Sequence, residues 1–116
     1  MAVRIQQNKS QLYLNGRYYG RHLILLKEDD QDWHVIYLNR YLIFKNSDDG
    51  KCLDSDKTGK VYQIICNNGD NQKWEAIDYN RYRNKATSRC LDSDSRSVYT
   101  NECNTDGYQA WTLKGF

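Results

Sequence analysis

The stretch from Cys90 to Trp111, CLDSDSRSVYTNECNTDGYQAW, decides how this chain is read. Its opening five residues, Cys90-Leu91-Asp92-Ser93-Asp94, occur earlier as Cys52-Leu53-Asp54-Ser55-Asp56. Val98-Tyr99 matches Val61-Tyr62, and Cys103-Asn104 matches Cys66-Asn67. The closing Gln109-Ala110-Trp111 matches Gln72-Lys73-Trp74 and, further back, Gln31-Asp32-Trp33. The tryptophans lie 41 and 37 residues apart. A fixed period of this length marks a repeat architecture. Three units of about 39 residues, 1–38, 39–78 and 79–116, account for the 116 residues.

The first unit is degenerate. Aligned without gaps, Leu14-Asn15 falls opposite Leu53-Asp54, and His22-Leu23 opposite Val61-Tyr62. Lys27-Glu28 then falls opposite Cys66-Asn67. Both cysteine positions are filled together in units two and three, and are empty together in unit one (Tyr13 and Lys27). Paired loss is the behaviour of two disulfides, Cys52–Cys66 and Cys90–Cys103. Each loop so closed is worth roughly 3 kcal/mol on a chain-entropy estimate. Reduced structural thiols are the alternative. Zinc fits less well, because the short Cys-x2–4-Cys spacing of structural sites is absent.

Short apolar or alternating runs, such as Arg40–Phe44 and Lys60–Ile65, are separated by Asn/Asp/Ser/Gly clusters. No stretch holds a helical period for three turns. This pattern predicts an all-β barrel or sandwich, and threefold repetition selects a barrel with pseudo-threefold symmetry. Charged residues make up 28% and net charge is +2, too balanced for non-specific nucleic-acid binding. The basic stretch Asn80–Arg89 reads as a solvated strand face. No apolar run approaches the ~18 residues of a membrane span. The first residues, Met1–Gln7, show no apolar leader segment.

With Gln-x-Trp three times, Cys-Leu-Asp before and Cys-Asn between, the chain resembles the ricin B-type lectin family. Within it, the order of elements is most similar to the actinohivin-like single-domain lectins. The resemblance covers the whole chain and implies a β-trefoil that binds carbohydrate without cofactor, metal or catalysis. Transferred position by position, the pattern implies sugar contacts at Asp54, Tyr62 and Asn67, with Asn71 nearby. In unit three it implies Asp92, Tyr99 and Asn104, with Tyr108 nearby. A sugar offers hydroxyls and an apolar ring face. Ionised Asp accepts hydrogen bonds, Asn both accepts and donates, and tyrosine supplies a surface. The aspartates sit in Asp/Ser-rich turns and are expected at the surface. Turn capping is their bland alternative.

Gln31, Trp33, Gln72, Trp74, Gln109 and Trp111 read as structural core, because the triplet persists in unit one without the polar set. There Asn15, Leu23 and Glu28 replace Asp, Tyr and Asn, so little sugar binding is expected. The galactose-binding members carry an aromatic two residues before the second cysteine of a repeat. Ile64 and Asn101 stand there, which moves the expectation toward mannose-type glycans. A monomer or weak oligomer outside the cell is expected, on the disulfides and the resemblance. The competing reading is a protein-binding trefoil of the protease-inhibitor or toxin-subunit type. Catalysis lacks support: Asp54 and Asp92 belong to different units, and neither His22 nor His34 lies in a nucleophile motif.

Overall fold

The computed structural model describes residues 2–16, 23–27 and 31–115. Among them are twelve strands, all paired antiparallel. The first four are β1 (Ala2–Gln7), β2 (Tyr13–Asn15), β3 (Ile24–Leu26) and β4 (Trp33–Leu38). They are followed by β5 (Tyr41–Asn46), β6 (Cys52–Ser55), β7 (Val61–Ile64) and β8 (Trp74–Ile77). The last four are β9 (Arg81–Asn84), β10 (Cys90–Ser93), β11 (Val98–Asn101) and β12 (Trp111–Gly115). Two single 3-10 turns, Asp70–Gln72 and Asp78–Asn80, are the only helical elements among the described residues.

Six strands in the order β12-β1-β4-β5-β8-β9 form a barrel-like wall. The pairs β2–β3, β6–β7 and β10–β11 stand off it as three further ladders. Their registers correspond: Tyr13 lies opposite Leu26, Cys52 opposite Ile64, and Cys90 opposite Asn101. This corrects the gapless alignment of unit one by a residue. Asn15 pairs with Ile24, as Asp54 pairs with Tyr62 and Asp92 with Tyr99. Ile24, not Leu23, therefore holds the tyrosine position, and Leu23 takes that of Val61. Glu28 and His22 lie outside the described residues.

The core is built around the three tryptophans, each at most 1% exposed. A buried indole N–H needs an acceptor. Each finds a carbonyl one hairpin upstream: Trp33 donates to Leu14 (3.2 Å), Trp74 to Leu53 (3.2 Å) and Trp111 to Leu91 (3.0 Å). The acceptor leucines are themselves buried, so one residue supplies both packing and acceptor.

A second threefold set was hidden in the sequence. Gln7, Asn46 and Asn84 end β1, β5 and β9, fully buried. Each carbonyl accepts from the residue four ahead (Gln11, Gly50, Ser88), which holds a positive φ. The three loop sequences share almost no letters, although the backbone turn is the same.

Replacing Trp74 separates its two roles. Trp74→Phe keeps an apolar ring but orphans the Leu53 carbonyl, and should cost about 1–3 kcal/mol in urea unfolding. Trp74→Ala should cost about 3–5 kcal/mol. The equivalent Trp33 and Trp111 pairs should follow the same order. An indifferent Trp74→Phe would mean that the indole bond adds nothing to packing.

Candidate functional site

Antiparallel pairing places Asp54 opposite Tyr62 and Asp92 opposite Tyr99, so each pair shares one face of its ladder. The expectation that the aspartates lie exposed in turns is corrected. Both are on strands, at 3% and 5% exposure. Strand pairing and a glutamine brace draw them inward.

That brace is the Gln of Gln-x-Trp. Gln72 Nε2 donates to Asp54 Oδ2 (2.9 Å) and to the Ile65 carbonyl (3.1 Å). Its Oε1 accepts from the Asn67 backbone N–H (3.0 Å). Gln109 does the same with Asp92 Oδ2 (2.9 Å), the Glu102 carbonyl (2.9 Å) and the Asn104 N–H (2.8 Å). One buried amide thus ties the carboxylate to the loop that carries the asparagine. Reading this glutamine as core missed that link, because Gln31 survives where the aspartate does not. Gln31 donates instead to the Asp32 carbonyl (2.8 Å) and to Asn46 Oδ1 (3.1 Å).

The loops are fastened a second time. Cys52–Cys66 and Cys90–Cys103 are disulfides, so no cysteine is free. Each joins the residue two before the aspartate to the residue just before the asparagine. Asn67 Oδ1 accepts from the Gly69 N–H (2.8 Å), and Asn104 Oδ1 from the Asp106 N–H (3.2 Å). These Asx turns leave each amide nitrogen without a protein acceptor among the described residues.

Units two and three then diverge. In unit three, Asp92, Tyr99, Asn104 and Tyr108 line one pocket of about 270 Å³, together with Asp94 and Asp106. In unit two, Asn71 Nδ2 donates to the Ser55 carbonyl (2.7 Å), while Asn84 Nδ2 donates to the Asn71 carbonyl (2.9 Å). In unit three the longer Gln7 makes both of these bonds. It donates to the Ser93 carbonyl (3.1 Å) and the Tyr108 carbonyl (2.7 Å). Position 108 is thereby released to carry an aromatic side chain.

Charge differs as well. Asp70 of unit two is paired with Lys85 (3.3 Å) and Lys73 (3.5 Å), which draw its carboxyl below the usual range. In unit three, burial pushes the Asp92 carboxyl up. The Gln109 and Ser93 hydrogen bonds oppose the shift, while nearby Asp106 and Asp94 add to it. Burial, then Asp92, pushes the Tyr99 hydroxyl up too. Among the described residues no three His, Cys, Asp or Glu side chains converge as a metal site requires.

Gln109→Leu removes the brace while keeping bulk in the core. It leaves Asp92 and the Asn104 N–H without that partner, and should destabilise the chain by about 1–3 kcal/mol in urea. Gln31→Leu should leave amide exchange at Asn67 and Asn104 untouched, whereas Gln109→Leu should speed exchange at Asn104. Unchanged exchange at Asn104 in Gln109→Leu would show that the disulfide alone orders the loop.

A family model, the ricin-type beta-trefoil lectin domain, matches residues 40–115. Among curated proteins no sequence matches. The designed threefold-symmetric protein ThreeFoil superposes with a TM-score of 0.87 at 20% identity, over 99% of both chains. A GlcNAcα1-4Gal-releasing endo-β-galactosidase from Clostridium perfringens gives 0.89 at 16% identity. There the match takes in 99% of this chain but 32% of the enzyme. An exo-β-1,3-galactanase from Clostridium thermocellum gives 0.83 at 17% identity, over 97% of this chain and 30% of that one. The chain thus spans about a third of these enzymes' length, and at such identities the likeness is one of fold, the β-trefoil.

Proposed function

Because the chain belongs to the ricin-type β-trefoil lectin domain family, we propose that it binds glycans, without catalysis, through pockets in units two and three. The observation that carries this reading is the repeated unit of Asp and Tyr paired across a hairpin, with Gln bracing the Asp to an Asn loop. Such a unit suits a sugar. The braced carboxylate keeps lone pairs for two hydroxyls, the Asn amide offers a donor, and the tyrosine offers a ring face. Charge-assisted bonds to the carboxylate are the stronger ones. Asp54, Tyr62, Asn67 and Asn71 are assigned to one pocket, and Asp92, Tyr99, Asn104 and Tyr108 to the other. Unit one, with Asn15 and Ile24 in the Asp and Tyr positions, is assigned none.

Mannose-type glycans are favoured over galactose. The support is Ile64 and Asn101 at the places where galactose-binding members carry an aromatic, and the actinohivin-like order of elements. The units form one trefoil domain acting as a monomer or weak oligomer. The support for an extracellular setting is the pair of disulfides, a bond type that persists in oxidising compartments.

A glycan array on wild type, Asp54→Ala, Asp92→Ala and the double variant tests the assignment, with circular dichroism to confirm the fold. Each single variant should lose avidity for multivalent glycans on the order of 100-fold, and the double variant should lose binding altogether. Glycan binding that survives the double change would show that the pockets lie elsewhere. Binding to a protein ligand alone would favour the inhibitor or toxin-subunit type.

In Asp54→Ala, where only unit three reports, pH gives a second test. Sugar binding needs ionised Asp92, whose raised pKa means that binding fades above the ordinary aspartate value of about 3.9. Stability runs the other way. A raised pKa favours the protonated form in the folded state, so this contribution is complete at low pH and is lost as pH rises through the elevated value. A glycan titration should therefore lose binding on acidification while near-UV circular dichroism still reports the native fold.

A further inference from the structure

We propose that a cavity between the two tyrosines is a subsite for an acidic sugar residue, in a glycan whose neighbouring ring occupies an aspartate pocket. The cavity measures about 700 Å³. Leu23, Val61 and Val98, at equivalent places in the three hairpins, line it. Two lobes are locked together beside it: Lys60 and Tyr99 form an antiparallel bridge, and the Thr100 N–H donates to the Gly59 carbonyl (2.9 Å). The walls are therefore set by the fold rather than by a ligand.

Continuity with the proposed sugar pockets is the first argument. Tyr99 lines both this cavity and the Asp92 pocket. Tyr62, which faces Asp54 across its ladder, lines the cavity as well. A glycan seated on either aspartate has a tyrosine as the threshold to the same space. Charge is the second argument. The Asp92 pocket carries Asp94 and Asp106, whereas no carboxylate is among the described residues lining the cavity. That lining includes Lys60 and Arg96, both exposed and in no ion pair among the described residues. Asp56 feels Lys60, but its Oδ1 is engaged by the Thr58 and Lys60 backbone N–H groups. An ammonium and a guanidinium above an aliphatic floor suit a ring bearing carboxylate, sulfate or phosphate. The two compartments then sort a glycan by charge, with a neutral residue at the aspartate and an acidic one beyond the tyrosine.

This rests on the glycan-binding reading, and calorimetry can separate the two. Lactose and mannobiose are titrated beside sulfated lactose, sialyllactose and a mannobiose ending in phosphate. At low salt the acid-bearing partner of at least one pair should bind roughly 3- to 10-fold tighter, and the gain should shrink with added salt. Which partner gains identifies the acid. In Lys60→Gln/Arg96→Gln the gain should vanish while affinity for the neutral sugar holds. Neutral sugars binding with no acid gain, or a gain that survives the double change, overturns this inference alone. Wild type binding none of the five overturns both readings.

Discussion

Everything in this molecule hangs on one tripeptide that grips two adjacent residues. Trp74 holds the Leu53 carbonyl while Gln72, two residues before it, holds the Asp54 carboxylate. Trp111 and Gln109 hold Leu91 and Asp92 in the same way. The glutamine closes a turn and the tryptophan opens the next strand, so one short segment reaches both the leucine carbonyl and the side chain of the residue after it. The core contact and the proposed sugar contact are therefore fixed together. Unit one shows the separable part. Trp33 still holds Leu14, but the next residue is Asn15, and Gln31 has turned to Asn46.

Such a site is costly to the fold. A carboxylate at 5% exposure resists ionisation, and burial pushes the Asp92 carboxyl up against the hydrogen bonds that hold it. Leaving a buried polar group unsatisfied costs about 1–3 kcal/mol, so the glutamine brace is a condition of having the aspartate at all. The disulfides occur in the two lobes that carry this burden, and each contributes roughly 3 kcal/mol by restricting the unfolded chain. The first lobe has neither the aspartate nor the staple. The pairing of cost and staple gives the joint loss of both cysteines a thermodynamic reason.

The strand architecture was legible because repetition multiplies a weak signal: three copies of a short pattern outweigh the ambiguity of any single strand. The cysteine pairing was legible for the same reason. What stayed hidden was whatever depends on geometry between elements. Asp-Ser-Asp looks like a turn, yet Asp54 and Asp92 are drawn into strands by partners eighteen and seventeen residues later. The Leu23 alignment failed by one residue because an apolar run, Leu23-Ile-Leu-Leu26, gives no polar landmark to set its register. Gln7, Asn46 and Asn84 escaped notice since a backbone turn can be kept while nearly every letter in it changes.

A threefold scaffold can carry unlike sites because each lobe is completed by the strand that enters from its neighbour. Lobe three is finished by Gln7, from the far end of the chain, and lobe two by Asn84. One methylene separates these side chains. The longer one reaches both carbonyls, so Tyr108 is free to face the pocket. The shorter one reaches a single carbonyl, so the side chain of Asn71 must supply the other bond. Lysines 73 and 85 then neutralise Asp70 in lobe two, while Asp94 and Asp106 reinforce the negative charge of lobe three. A difference in reach at a buried position thus decides whether the side chain at position 71 or 108 is tied to the backbone. Divergence between repeats can therefore begin in the core, before any residue of the pocket itself has changed.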